Sequence, residues 1–170
     1  MNNIKKGFTL VELLIVITVI SILATVIFGG SIQSSFQKAR DSRRKQDLNK
    51  LMRILEDYYN DHQRYPQGNP NGTIKDAPWG YTFFSYPITL PKDPFSKPDW
   101  PQYYYQTDAN LQDFYSIYAR LENPSDSDMQ LLGCSVGCGP VNLFNYYVTS
   151  PNTVLIGGLP NGQAPLGGNP

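Results

Sequence analysis

The sequence predicts an α+β fold in which one long N-terminal helix packs against a small antiparallel β-sheet, and three observations lead to this prediction. An almost uncharged apolar run occupies residues 8–28, a helical period of apolar residues continues to His62, and two strand-like segments follow within residues 102–121. At 170 residues the chain has room for one domain beside a terminal helix. The 14 basic and 14 acidic residues balance, so bulk charge gives no argument for nucleic-acid binding.

The apolar run reads FTLVELLIVITVISILATVIF from Phe8 to Phe28 and contains a single charge. As a helix with a rise of about 1.5 Å per residue it is long enough for a hydrocarbon layer of roughly 30 Å. A secretory signal cleaved near Gly29, Gly30 and Ser31 is the alternative, but the apolar part of such signals is about 7–15 residues long. We therefore predict a membrane-spanning helix that stays attached.

The single charge of this run is Glu12. An ionised carboxylate inside hydrocarbon costs at least a few kcal/mol and persists where a partner or a function compensates it. The span holds no Lys, Arg or His, so we expect a cation from another chain or from a new terminus. Cleavage between Gly7 and Phe8 would supply one, the free α-amine of Phe8. Snorkelling of Glu12 to the membrane interface is the alternative.

The segment Lys5-Lys6-Gly7-Phe8-Thr9-Leu10-Val11-Glu12-Leu13-Leu14 resembles the type III signal of type IV pilins and type II secretion pseudopilins. That resemblance implies cleavage after Gly7 by a prepilin peptidase, N-methylation of Phe8, and assembly through Glu12 into a helical homo-oligomeric filament. It also implies an inner-membrane assembly platform as a partner, and a lipid bilayer around the helix before assembly. Members of the family often carry a proline about three turns into the mature helix, where this chain has Gly29 and Gly30.

With this resemblance the chain divides into five predicted segments. They are a leader peptide at 1–7, a transmembrane or filament-core helix at 8–28, its amphipathic continuation at 29–62, a globular β head at 63–156, and a flexible tail rich in Gly and Pro at 157–170. Basic residues flank both ends of the span, so the positive-inside rule is ambiguous. The orientation, a single-pass protein of the cytoplasmic membrane with its head outside the cytoplasm, is taken from the resemblance. The final location is then an extracellular pilus or a periplasmic pseudopilus.

The amphipathic continuation carries an apolar stripe that we expect to pack under the head: Leu48, Leu51, Met52, Leu55, Tyr58 and Tyr59. Basic and acidic residues lie between the members of this stripe and predict a mostly solvated face with some i,i+4 pairing. Arg43, Arg44 and Lys45 have a second interpretation, contact with anionic lipid, DNA or the acids of a neighbouring subunit. The helix is predicted to run from near Phe8 to about His62.

Proline punctuates residues 65–100, so the sequence predicts loops there with one short strand near Tyr81–Tyr86. Residues 102–107 and 114–121 predict an antiparallel hairpin, with weaker strands at 144–148 and 154–156. Within the second hairpin strand, Tyr115, Ile117, Ala119 and Leu121 share the face expected to lie on the helix. The motifs of the head resemble the head of G-type major pseudopilins: Tyr65-Pro66, Leu90-Pro91-Lys92-Asp93-Pro94, Tyr103-Tyr104-Tyr105 and Tyr115-Ser116-Ile117-Tyr118.

Two features of the head bear on ligands. That family often binds a structural calcium ion in an acidic loop, whose nearest counterpart is Asp126-Ser127-Asp128; a solvated turn is the favoured interpretation of these residues. Cys134 and Cys138 are spaced to close a small disulfide loop in an oxidising compartment, and metal ligation is the alternative. No other cofactor is predicted.

The chain offers no catalytic constellation, with one His and no Gly-rich phosphate loop, so we predict a protein that is not an enzyme. The favoured function is that of a prepilin, the structural subunit of a type IV pilus-like filament. The first alternative is the major pseudopilin of a type II secretion system. The second belongs to another class, a membrane-anchored binding module outside the cytoplasm.

Overall fold

A computed structural model of the protein describes residues 7–28, 32–83, 86–95, 97–108, 111–156 and 159–160. The chain forms two structural units, Met1–Phe36 and Gln37–Pro170, and each is described by itself. The fold class is the predicted one, α+β with helices preceding small antiparallel sheets. Gly29 and Gly30, the two glycines at the family's proline position, and most of the predicted tail lie outside the described residues.

The helices take up most of the first 62 residues. Helix α1 spans Leu10–Phe28 and helix α2 spans Ile32–His62. Among the described residues, none of the helices is long and apolar enough to cross a membrane. Helix α2 ends where predicted, because Gln63 adopts a left-handed φ of 56° and Tyr65-Pro66 follows.

The head is built around a three-stranded antiparallel sheet in the order β3-β4-β5. The predicted hairpin is confirmed as β3 (Tyr104–Thr107) and β4 (Tyr115–Ala119), paired with Tyr105 opposite Ile117. The weaker strand predictions correspond to β5 (Tyr146–Thr149) and β6 (Leu155–Ile156). The remaining elements are short: β1 (Thr82–Phe83), β2 (Ile88–Thr89), α3 (Ser127–Leu131) and β7 (Leu159–Pro160). Strand β1 pairs with β2, and β6 with β7.

The core lies between α2 and the inner face of the sheet. Leu48, Leu51 and Leu55 of the predicted stripe are fully buried, and they cluster with Tyr105 and Ile117 of the sheet. Met52, Tyr58 and Tyr59 are partly buried against the same cluster. The predicted packing of the helix stripe under the sheet is therefore confirmed, and the stripe also includes Ile54.

The outer face of the sheet is covered as well. Tyr118 points away from α2 and is fully buried in a second cluster with Cys134, Cys138, Phe144 and Tyr147. The segment that carries the two cysteines therefore packs over the sheet, so the alternation along β4 separates two buried layers rather than core from solvent.

Candidate assembly site and the ion-pair cluster of the head

Thr9 and Glu12 cap the N-terminus of α1 reciprocally. The Glu12 Oε2 atom accepts hydrogen bonds from the Thr9 backbone N–H and the Thr9 hydroxyl, each at 2.9 Å. In return the Glu12 backbone N–H donates to Thr9 Oγ1 at 3.2 Å. This is a capping box, in which the N-cap Thr and the Glu three residues later satisfy one another's donors. The carboxylate is thereby fixed beside the first turn of the helix.

The Thr9 partner of Glu12 was not predicted, because only a cation was expected near this carboxylate. The signal was available: Thr-x-x-Glu ahead of an apolar run is the sequence pattern of a capping box. The Thr9 donors orient the carboxylate without neutralising it, so the predicted need for a cation from another chain remains a prediction.

The side chains of α1 form a large exposed apolar surface. Phe8 is 86% exposed, and the exposed large apolar side chains within the helix range from 49% at Val19 to 80% at Leu10. Contiguous apolar surface of this kind marks a site of protein–protein or membrane contact.

Arg44 is the centre of a buried ion-pair cluster in the head. Its side chain is fully buried, and its guanidinium donates to both carboxylate oxygens of Asp93, at 2.7 and 3.0 Å. It also donates to Asp41 and to Glu122, at 2.7 Å each. The Trp100 ring covers the guanidinium, with its centroid 5.0 Å from Cζ. Burial alone would lower the pKa of Arg44, but these hydrogen bonds outweigh burial and raise it.

This cluster ties helix α2 to two distant segments. Asp41 accepts the backbone N–H groups of Glu122 and Asn123, at 2.9 and 2.8 Å, and Arg40 forms a second ion pair with Glu122. The prediction of a solvated face is therefore wrong at Arg40 and Arg44, because both side chains project toward acids of the head. Arg40 is paired and partly buried, and Arg44 is fully buried. Of the Arg43-Arg44-Lys45 run only Arg43 is exposed, and Lys45 is partly buried.

The calcium candidates Asp126 and Asp128 contact a cation of the protein itself. The Lys45 ammonium lies 2.7 Å from an oxygen of each carboxylate, and Asp126 also caps α3 by accepting the Asp128 backbone N–H. The favoured interpretation as a solvated turn is therefore replaced by an ion-paired turn. Within the described part of the chain no group of acids, His and Cys is arranged to hold a metal ion. Calcium binding here stays a prediction.

Cys134 and Cys138 form a disulfide with an S–S distance of 2.06 Å, as predicted. The bond is buried against Tyr118, and the backbone groups of Cys138 and Phe144 pair across the loop. The bond closes the segment over the outer face of the sheet.

Known proteins are similar in sequence to parts of this chain. Residues 2–28 match the family model described as the prokaryotic N-terminal methylation motif. Over 77 residues the chain is 35% identical to the type IV major pilin protein PilE1 of Neisseria gonorrhoeae, covering 45% of this chain and 36% of that protein. It is 28% identical over 98 residues to the type II secretion system core protein G of Pectobacterium carotovorum subsp. carotovorum, covering 54% and 62% respectively.

The core protein G of Aeromonas hydrophila is 29% identical over 101 residues, which cover 55% of this chain and 70% of that protein. No solved structure matches the chain. The chain spans between about a third and two thirds of the length of the first relatives it matches. It carries a prokaryotic N-terminal methylation motif, which indicates prepilin-type processing, and it is similar to type IV major pilins and to type II secretion core G proteins.

Proposed function

We propose that the chain is the precursor of a structural subunit of a type IV pilin-like filament. A prepilin peptidase cuts after Gly7, and the new amine of Phe8 is methylated. The observation that carries the proposal is the lone carboxylate of Glu12, held at the start of an exposed apolar helix within a methylation motif.

Before assembly, residues 8–28 anchor the subunit in the cytoplasmic membrane with the head outside the cytoplasm. This step is supported by the sequence, since the segment holds 21 residues and a single charge. In the filament the apolar surface of α1 packs against other copies, which replace the lipid. The head has no catalytic role, and its buried clusters provide a rigid body for each copy to present.

Assembly brings the Phe8 amine of one copy beside Glu12 of the next. The Thr9–Glu12 capping box holds the carboxylate in one position before the partner arrives, so less side-chain entropy is lost when the pair forms. In an apolar surrounding an unpaired carboxylate is costly, so the pair also selects the axial position of each new copy.

One observation favours a second candidate, the major pseudopilin of a type II secretion system. The matches to core protein G extend over 98 and 101 residues, against 77 for the pilin, so they cover a larger share of the chain. Deletion of the gene separates the two: loss of surface filaments supports the pilus subunit, and loss of secreted proteins supports the pseudopilin.

Three substitutions in the full chain test the proposal. Glu12→Gln keeps a side chain that can complete the capping box but removes the charge, whereas Thr9→Ala removes the capping hydroxyl and keeps the charge. We expect Glu12→Gln and Glu12→Ala to insert in the membrane normally and to form no filaments, and Thr9→Ala to assemble. The measurements are membrane fractionation and the yield of sheared filaments. Normal filaments from Glu12→Gln would contradict the role of the Glu12 charge in assembly, and a wild-type chain that inserts in the membrane but forms no filaments would instead support the membrane-anchored binding module.

A further inference from the structure

The outward face of α2 carries exposed charges that are separated by sign along the helix axis. Arg43, Lys50 and Arg53 come first, and Asp57 and Asp61 follow in the last two turns; all five side chains are exposed. Spacings of three, four, seven and eight residues place them on one side of the helix. This set is called the α2 charge stripe below.

The stripe differs from the other cations of α2. Arg40, Arg44 and Lys45 face the head and are paired with acids of the same chain. Among the described residues, by contrast, no member of the stripe forms a salt bridge. Asp61 accepts a hydrogen bond from the Tyr86 hydroxyl and still keeps an exposed carboxylate. The half-buried carboxylate of Asp47 interacts electrostatically with Arg43 and Lys50. The stripe therefore offers exposed charges that no salt bridge among the described residues of the head neutralises.

The next cation along the chain does not interrupt the acidic end of the stripe. Arg64 follows the end of α2, where the left-handed φ of Gln63 turns the backbone away from the helix direction. Its side chain lines a surface depression together with Tyr58, Lys75 and Asp76. Asp57 and Asp61 thus remain the terminal charges of the stripe.

The order of the charges selects one relative position of two parallel copies. At about 1.5 Å per residue, Lys50 precedes Asp57 by roughly 10.5 Å and Arg53 precedes Asp61 by roughly 12 Å along the axis. Two parallel helices side by side without a shift would bring like charges together. A shift of about 11 Å would place Lys50 and Arg53 of one copy opposite Asp57 and Asp61 of the other. The same shift brings Arg43 near Lys50, so two attractive contacts stand against one repulsive contact, whereas copies without a shift have only repulsive ones.

We propose that the α2 charge stripe docks against the same stripe of a second copy of this chain, in parallel and displaced by about seven or eight residues. The parallel orientation rests on the proposed function, in which every copy starts from the same membrane. Each exposed ion pair contributes only about 0–1 kcal/mol. The stripe therefore acts mainly on register, by repelling copies that are placed without a shift.

Charge reversal tests the stripe in the full chain. We expect Lys50→Glu with Arg53→Glu, and separately Asp57→Lys with Asp61→Lys, to reduce the yield of sheared filaments by about ten-fold. Attraction then becomes repulsion at two positions per contact. The chain with all four substitutions should regain assembly, because the charges are exchanged and remain complementary. Lys75→Glu with Lys92→Glu, two exposed lysines away from α2, is the control for Lys50→Glu with Arg53→Glu, because it makes the same change in net charge.

Cysteine cross-linking measures the register directly. Lys50→Cys in one copy and Asp57→Cys in another, expressed together, should give a mixed disulfide dimer at least several-fold more abundant than dimers of either variant alone. Equal cross-linking of Lys50→Cys copies with one another would overturn the proposal, as would normal filaments from the Lys50→Glu, Arg53→Glu chain.

Comparison with the wild-type chain distinguishes failure of the α2 docking from failure of the proposed filament function. Absence of filaments from the wild type overturns the filament function itself and the stripe with it, whereas filaments that persist with Glu12→Gln overturn only the role of Glu12 in assembly. Filaments that need Glu12 but tolerate reversal at Lys50 and Arg53 overturn only the docking of α2.

Discussion

Arg43 and Arg44 are neighbours in α2 and have opposite surroundings. Arg43 is exposed and belongs to the charge stripe, whereas Arg44 is fully buried among Asp41, Asp93 and Glu122. A rotation of 100° per residue is enough to carry one guanidinium to solvent and the next into the head. The same residue type is thus exposed to solvent at one position and part of the internal structure at the next.

Replacing Arg44 tests its structural role. Arg44→Ala leaves three buried or nearly buried carboxylates without their central partner, so we expect the free energy of unfolding to fall by about 3–5 kcal/mol. Arg43→Ala is the matched control and should change it by less than about 0.5 kcal/mol. Urea denaturation of the full chain in detergent measures both; equal effects would contradict the assigned burial.

The pKa of Glu122 gives a pH dependence with a definite sign. Burial alone would raise this pKa, but hydrogen bonds from Arg40 and Arg44 outweigh burial and lower it. A carboxyl whose pKa is lower in the folded state contributes stability above its unfolded pKa of about 4.3 and loses it as the pH falls through the folded value. We expect the free energy of unfolding to decrease as the pH is lowered below about 4.3, and to decrease less steeply in Glu122→Gln.

The pKa of Asp47 shifts in the opposite direction to that of Glu122, so this residue serves as a control. Burial raises its pKa, so its ionisation opposes folding and its protonation in acid partly offsets the loss at Glu122. Asp47→Asn should therefore make the acid loss of stability steeper. Urea titrations at a series of pH values measure both slopes, and identical slopes in the two variants would count against this account.

At the scale of helices and strands, the features that could be predicted were those that come from the regular spacing of apolar residues close together in the sequence. The apolar stripe of α2 and the alternation along β4 are written in neighbouring residues, and both are confirmed. The ion-pair partners of Arg44 are not local, since Asp93 and Glu122 lie 49 and 78 residues away. Periodicity assigned Arg44 to a polar face, but only the folded head shows that buried acids meet that face.

The covering of the outer sheet face also depends on backbone conformation that sequence patterns did not reveal. Gly139 has a left-handed φ of 70°, and a Cβ added there would lie 2.8 Å from Cδ1 of Tyr118. Gly133 has the same φ of 70°, but a Cβ there would meet nothing within 4 Å. Gly139 also has a ψ of −171°, a conformation almost confined to glycine, so a side chain added there meets both backbone strain and the Tyr118 ring.

Alanine at the two positions should give unequal losses. Gly133→Ala carries only the left-handed penalty of about 1–2 kcal/mol. Gly139→Ala adds a clash with the buried ring, which costs about 1–3 kcal/mol more. Thermal unfolding compares them, and a smaller loss for Gly139→Ala than for Gly133→Ala would contradict the packing of this segment on Tyr118.

At the scale of the whole molecule, the two units have different requirements. The head buries its own apolar clusters and pairs its buried charges. Helix α1 exposes nearly all of its apolar side chains and carries Glu12 at its start. The head therefore buries its apolar side chains within a single copy. The apolar side chains of α1 are suited to contact with lipid or with further copies.

The fold class and the N-terminal motif could both be predicted from the sequence. A long apolar run and a short signal with Gly, Phe and Glu at fixed spacing are local features, and the match of residues 2–28 to the methylation motif agrees with them. The capping box was not predicted, although its sequence pattern is local. The contact of Lys45 with Asp126 and Asp128 could not be predicted from a local pattern, because these acids lie 81 and 83 residues after Lys45.

Intact-mass spectrometry of subunits from sheared filaments tests the central claim most directly. The account predicts a chain that begins at Phe8 and carries one added methyl group, with the Cys134–Cys138 bond intact. A mass that includes Met1–Gly7 would contradict it, because Phe8 would then have no free amine, and so would a mass that begins at Ser31, because Glu12 would then be missing.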